Sequence, residues 1–457
     1  MPDLDFTLVL GVDEQHAAEL LKVWPTWVAN RPEITEHPIV MLYDEEMPPS
    51  LLADVWLALS RPASTLIMPI KVDADASLTQ RERMLSAFVL QAPRHVETPW
   101  MLKVDTDVVA ERYDPKWCDS GMLGKDGSVF VASQWGYTKP GNAIQILDDW
   151  GDGVTELARH PRLDYKPSGD GRIVKCPGRI ISYVFFGRTD WLRWAASLVP
   201  DGKLPLCSQD TFHWYLAARM KANYSCKRMT DFGWRHVRPK DIQRVADAVE
   251  FGAGLATTTD QHPESVLALL REFGRDKVVA AEVGVSSGET SSRLLAGHPG
   301  LQLHMVDSWG SGQSQTYKDT QDGHATMSAE QHRRNYLDAV RRVAFAKDRA
   351  FIWRMPSVEA AGHFPEGLLD LVFVDGDHSY EGVWGDIAAW WPRVRPGGIL
   401  AGHDFDHPRD KRGVFGVRRA VDEFVAANSL EYSVLPGTVF AIRKPWQNVV
   451  EGLTCPT

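Results

Sequence analysis

Several familiar signals are missing from this chain. No stretch approaches about 18 consecutive apolar residues, so no membrane-spanning helix is expected. There is no surplus of positive charge: 50 Lys and Arg face 60 Asp and Glu, for a formal net charge of −10. That balance argues against a nucleic-acid backbone as the main ligand. Cysteine is scarce. The five residues, Cys118, Cys176, Cys207, Cys226 and Cys455, show no CxxC pairing. An odd number without that spacing fits reduced thiols in a cytoplasm better than a disulfide framework or a zinc site. The opening MPDLDFTLVLGVDE has no basic n-region and only a short apolar run, so it reads as a strand rather than a signal peptide. Internal repeats are absent too.

What is present is an α/β pattern long enough for two or three domains. The first half predicts strands over 6–12, 38–43, 65–71, 100–104, 129–132 and 180–186, with helices over 14–29, 78–96 and 210–220. Between Trp135 and Arg179 the Gly, Pro, Asp and Lys clusters predict a loop-rich stretch around the mouth of a site. Residues 238–262 lose strand character, which places a boundary at about 245–260 and gives domains of 1–245 and 262–445.

The segment 369–406, LDLVFVDGDHSYEGVWGDIAAWWPRVRPGGILAGHDFD, carries the clearest chemistry. An apolar run ends abruptly in Asp375, Asp377 and His378. A helix with Val383, Ile387, Trp390 and Trp391 on one face follows, and a second apolar run ends in His403-Asp404. Strand, crossover helix and strand make a right-handed βαβ unit with parallel strands. Both acidic clusters therefore fall at the carboxyl edge of one sheet, where open α/β folds bind ligands. Upstream, a strand over 278–285 runs into the glycine-bearing turn EVGVSSGET (282–290), and the next strand ends at Asp307. Glycines let backbone approach a ligand, and the helix that follows offers an electropositive N-terminus.

The order of these motifs, EVGVSSGET, then VFVDGDH, then RPGGILAGHDF, then VRRAVDEF (417–424), resembles the class I S-adenosylmethionine-dependent methyltransferases, most closely the macrocin O-methyltransferase-like group. The resemblance covers nearly all of 263–444 and implies a doubly wound sheet closed by a reversed hairpin. It also implies that Glu282, Gly284, Ser287, Gly288, Asp307 and Asp375 meet the cofactor. Asp375 and Asp404 then stand where members bind Mg²⁺ or Mn²⁺, and His378 or His403 is the expected proton acceptor. His403 departs from an all-oxygen ligand set, so it is equally a ligand, a base or a hydrogen-bonded neighbour of one. The polar stretch 310–330 reads either as a lid or as a loop without fixed structure.

In the first half, WMLKVDTD (100–107) places Asp105 and Asp107 one residue apart at a strand end, where one divalent ion can reach both carboxylates and a diphosphate. That DxD after a Rossmann-like run resembles the glycosyltransferases of the GT-A fold. The resemblance implies a nucleotide-sugar donor, Asp210 in the SQD that opens a helix as catalytic base, and His236 as a late metal ligand. Gln209 stands where those enzymes usually carry an acid, and Asp210 also suits a plain helix N-terminal carboxylate. Together the two resemblances imply a cytoplasmic bifunctional enzyme, transferring a sugar and O-methylating a small-molecule or glycan hydroxyl. The alternative is an O-methyltransferase alone, whose first domain only binds a glycan or nucleotide-sugar.

Overall fold

The computed structural model describes residues 4–60, 66–72, 78–118, 128–138, 166–167, 173–197, 199, 213, 225–227, 229–249, 261–310, 314–408 and 414–446. The chain divides into two compact units, one of Met1–Ser60 with Thr65–Glu250 and one of Phe251–Thr457.

In the first unit the strands are β1 Phe6–Val12, β2 Ile39–Tyr43, β3 Ile67–Lys71, β4 Trp100–Val104, β5 Val108–Ala110, β6 Phe130–Thr138, β7 Lys166–Pro167, β8 Ile173–Arg188, β9 Ser225–Cys226 and β10 Trp234–His236. A mixed sheet runs β3-β2-β1-β4-β8-β6-β9. β1 pairs in parallel with β2 and β4, as apolar runs buried on both faces require, while β8 runs antiparallel to β4 and β6. The helix Glu14–Asn30 starts at Asp13, whose carboxylate accepts the His16 N–H at 2.9 Å.

At that helix's other end, Arg31 is fully buried between the rings of Trp117 and Trp234, 5.6 and 4.7 Å from their centroids. Its guanidinium donates to the carbonyls of Arg112, at 2.8 Å, and of Asn30 and Phe232. Burial lowers its pKa to about 10, so the cation persists at neutral pH and ties three chain segments together.

Two expectations need correcting here. The single helix over 78–96 is instead Gln80–Ser86, a wider π turn Ala87–Gln91, and Ala92–His95. Pro93 has no N–H and its ring would strike the carbonyl four residues back, and a widened turn relieves both problems. The stretch after Trp135 is also less loop-like at its ends, since β6 continues to Thr138 and β8 begins at Ile173.

The second unit's strands are β11 Val278–Val283, β12 Leu301–Asp307, β13 Ala350–Arg354, β14 Leu369–Val374, β15 Val394–Gly402, β16 Tyr432–Leu435 and β17 Val439–Arg443. They form one sheet in the order β13-β12-β11-β14-β15-β17-β16. β11 to β15 are mutually parallel, and β17 lies antiparallel to both β15 and β16. This is a doubly wound sheet with a reversed hairpin at one edge. On one face Val372, Val374, Leu400 and Ile442 pack with Ile387 and Trp390 of the helix Tyr380–Trp390 and Phe424 of the helix Val417–Asn428. Burying each large apolar side chain is worth roughly 1.5–3 kcal/mol, so these helices fix the strand ends between them.

At the amino edge of β14, buried Asp370 accepts the Val279 N–H at 2.8 Å and the side chains of Arg275 and Arg395. That carboxylate is fully matched and structural. The acids of the opposite edge are arranged differently.

Candidate active site

A cavity of about 830 Å³ opens at the carboxyl ends of β11, β12 and β14. Its floor is the turn after β11. Glu282 is buried there, its carboxyl pushed up to about 8 by burial despite accepting the Ser291 hydroxyl. Gly284 takes φ +87°, and a Cβ at this position would overlap the backbone carbonyl of Asp375. Gly288, at φ +77°, caps the helix Glu289–Gly297, and a Cβ there would lie 2.8 Å from Ala339 Cα. Both glycines therefore serve close backbone packing, so their requirement is explained before any ligand enters.

Asp307 shapes this turn directly. Its Oδ2 accepts the N–H groups of Val285 at 3.0 Å and Ser286 at 2.9 Å, and its Oδ1 accepts that of Trp309 at 2.7 Å. Trp309 in turn donates its indole N–H to the Ser286 carbonyl at 2.7 Å. Ser286 is held at φ +50°, an uncommon value for a serine. Such a conformation persists only when the surroundings over-determine it. Ser287 also lines the cavity, its Oγ lying 3.4 Å from Arg342 Nη1.

The second wall is an acid–histidine cluster. His378 Nε2 lies 3.0 Å from an Asp404 oxygen and 3.3 Å from Asp375 Oδ1, while its Nδ1 lies 2.7 Å from Asp322 Oδ2. His403 Nδ1 sits 3.2 Å from the same Asp375 oxygen. Phe415 stacks on the His378 ring at 4.7 Å. Burial pulls the His378 pKa down, but hydrogen bonds to Asp322 and Asp375 and the charge of Asp404 outweigh it and raise the group to about 10. For Asp375 burial acts upward, and the neighbouring His403 and His378 overcome it, holding the carboxylate well below its usual range. Behind His403, the His262 ring approaches to 4.2 Å, with its Nε2 2.7 Å from Thr290 Oγ1.

The structure thus gathers Glu282, Gly284, Ser287, Asp307, Asp375 and His378 around one cavity, with His403 and Asp404 against Asp375 and His378. Three further residues enter that the sequence did not single out. Asp322 and His324 come from the polar stretch, which folds as a helix Gln315–Asp319 and a 3₁₀ turn His324–Thr326, with residues 311–313 outside the described set. The Asp-Gly-His spacing at 322–324 was the one available signal, a turn dipeptide beside an imidazole. Asp386 also lines the cavity, buried on the helix Tyr380–Trp390, and burial raises its carboxyl to about 7 despite a Ser357 hydrogen bond.

In the first unit, Asp107 and His236 do come together. β10 pairs with β5, which carries His236 opposite Val108 and puts its Nε2 3.0 Å from Asp107 Oδ2. Tyr183 stacks on that imidazole at 5.4 Å, and the Asp107 hydrogen bond raises its pKa. Asp105 pairs instead with Lys103. Asp210 lies outside the described residues.

Residues 281–405 match the family model described as a methyltransferase domain. The second unit resembles a methyltransferase. The matched span runs from β11 past the end of β15, so it contains the glycine turn and the whole Asp375–Asp404 cluster. Among solved structures, the O-methyltransferase NovP aligns at 16% identity and a TM-score of 0.31, over 40% of this chain and 80% of its own. A Klebsiella pneumoniae protein described as an O-methyltransferase aligns at 18% and 0.31, over 44% and 94%. The precorrin-6y C5,15-methyltransferase of Geobacter metallireducens does so at 14% and 0.28, over 43% and 96%. No curated protein matches the chain. Among the described residues no helix is long and apolar enough to cross a membrane.

Proposed function

We propose that the second unit transfers a methyl group from S-adenosylmethionine to a hydroxyl of a small molecule. The observation that carries this reading is the placement of the Asp375–His378–Asp404 cluster against the same cavity as the Glu282–Asp307 turn. A cavity of about 830 Å³ lies within the usual range of roughly 300–1,000 Å³ for small-ligand sites.

The residues fit the cofactor. Asp307 spends three acceptor positions on the turn, and a carboxylate has about four, leaving capacity for a ribose hydroxyl. When bound, S-adenosylmethionine supplies an electrophilic methyl on a cationic sulfur. Asp375, Asp404 and the charged His378 orient the acceptor hydroxyl, and His403, against Asp375, takes the proton that it loses. Asp375, His378 and Asp404 bring one donor atom each within 4.8 Å of one another. Once His378 gives up its Nε2 proton they would hold a divalent cation such as Mg²⁺ or Mn²⁺, whose chemistry is to acidify a bound hydroxyl. Calorimetry of the full chain with S-adenosylhomocysteine tests the reading. Binding is expected, weakened about tenfold or more by Asp307→Ala through lost charged hydrogen bonds. No binding by the folded chain would remove it.

A second reading concerns the first unit, and the Asp107–His236 pair favours it. Asp105, Asp107 and His236 would bind a divalent cation and, through it, a nucleotide-sugar. The Lys103–Asp105 pair means that this cation must compete with an ammonium already in place. Binding rather than sugar transfer is the role assigned, which makes O-methylation the single activity. A Mn²⁺-dependent affinity for a uridine diphosphate sugar supports it, and an affinity indifferent to chelator removes it.

A further inference from the structure

Asp322 sits where two networks meet. One oxygen lies 2.7 Å from His378 Nδ1. The other accepts the His324 backbone N–H at 2.8 Å and faces that residue's Nδ1 at 3.3 Å. His324 Nε2 is 2.9 Å from Ser286 Oγ, which also accepts the Asn335 amide at 3.2 Å. One buried carboxylate therefore joins the His378 imidazole to the glycine turn after β11.

The surroundings leave the Asp322 carboxylate little freedom. Its own N–H donates to Thr320 Oγ1 at 3.2 Å, and that hydroxyl donates to the Tyr317 carbonyl at 2.5 Å. Tyr317, Thr320 and Asp322 are all buried, so the segment is anchored by its own turn. On the other side, Phe415 covers one face of the His378 ring, and the Gly416 N–H donates to the His378 carbonyl at 2.9 Å. With a face and a backbone group fixed, one freedom remains to the ring: which nitrogen turns toward Asp375 and Asp404.

We propose that Asp322 is a positioning residue for His378. By accepting from Nδ1 it holds the ring in the orientation that aims Nε2 at Asp375 and Asp404. A carboxylate behind an imidazole is a general way of setting the orientation of the ring. The role rests on the proposed methyltransferase reading only for its purpose. The geometry itself is independent of the reaction.

The test uses the full chain with nitrogen-labelled histidine and needs no acceptor. An Nδ1–H donated to a buried carboxylate gives a strongly downfield proton resonance, which His378→Gln assigns by its disappearance. That resonance is expected to be lost in Asp322→Ala. In Asp322→Asn it should be kept but shifted toward the neutral-acceptor position, because the amide oxygen still accepts. Retention of the unchanged chain's melting transition shows that each variant is folded. An unaltered resonance in Asp322→Ala, or no such resonance in the unchanged chain, overturns the proposal. Should Asp322→Ala not fold, Asp322→Asn decides, since an unshifted signal there overturns it equally. Failure of the unchanged chain to bind S-adenosylhomocysteine would count against the methyltransferase reading and leave the resonance to judge Asp322.

Discussion

Gly284 and Asp375 meet through backbone alone. Gly284 holds φ +87°, and any Cβ on it would fall on the Asp375 carbonyl, while the Asp375 N–H donates to the Val283 carbonyl at 2.7 Å. The ends of β11 and β14 are thereby closed against each other directly below the cavity. Gly284→Ala is expected to destabilise the second unit by about 2–4 kcal/mol, combining a strained φ with a backbone clash. Denaturant midpoints measure this, and an unchanged midpoint would mean that the two strand ends separate freely.

Methyl transfer should depend on Asp375 far more than cofactor binding does. Asp375→Asn keeps the volume and removes the charge shared by His378 and His403. Loss of one preorganised electrostatic group costs roughly 10²- to 10³-fold in rate. Turnover should fall by about that amount, with S-adenosylhomocysteine affinity nearly unchanged. Parallel losses in both would place Asp375 in the cofactor's own binding set.

The second unit should weaken as pH rises from mildly acidic to about 8. Glu282 has a folded pKa of about 8 against an ordinary 4.5, and Asp386 one of about 7 against 3.8. Between each pair of values the folded chain keeps a proton that the unfolded chain has released. Stability is therefore greatest below the lower value and falls as pH rises through the upper one. Melting followed between about pH 5 and 9 should show the decline in the transition that S-adenosylhomocysteine stabilises. Glu282→Gln should make the decline shallower, Asp386 and His378 accounting for what remains, and an unchanged slope would remove Glu282 from the account.

For the first unit, Asp107→Asn should abolish Mn²⁺-dependent binding of a uridine diphosphate sugar, whereas Lys103→Met should strengthen it by freeing Asp105. Equal affinities in all three chains would make the Asp105–Asp107 pair a structural turn.

The second sheet was legible because its strands are short apolar runs that end in charge. Val374 gives way to Asp375 and Gly402 to His403-Asp404, and parallel pairing then sends both ends to one edge. The helix over 78–96 misled because its apolar spacing continues through Pro93, whose missing N–H acts at the backbone and leaves the side-chain pattern untouched. Asp322 and His324 were hidden for a different reason. They lie in a polar stretch with no periodicity, and their partners, His378 and Ser286, stand 56 and 38 residues away. Asp386 looks in sequence like one polar position on an amphipathic helix, and only packing shows that it is buried against the cavity.

The charged acids of the second unit crowd one edge of its sheet: Asp307, Asp375 and Asp404 stand at strand ends, while Asp370, with its two arginines, closes the other. For the proposed reaction that sign of charge discriminates between donor and by-product. The sulfonium donor is a cation, whereas the thioether left after transfer is neutral at sulfur, so the edge that attracts the first holds the second less firmly. Charge then favours release of the spent donor, and added salt should narrow the difference between the two affinities.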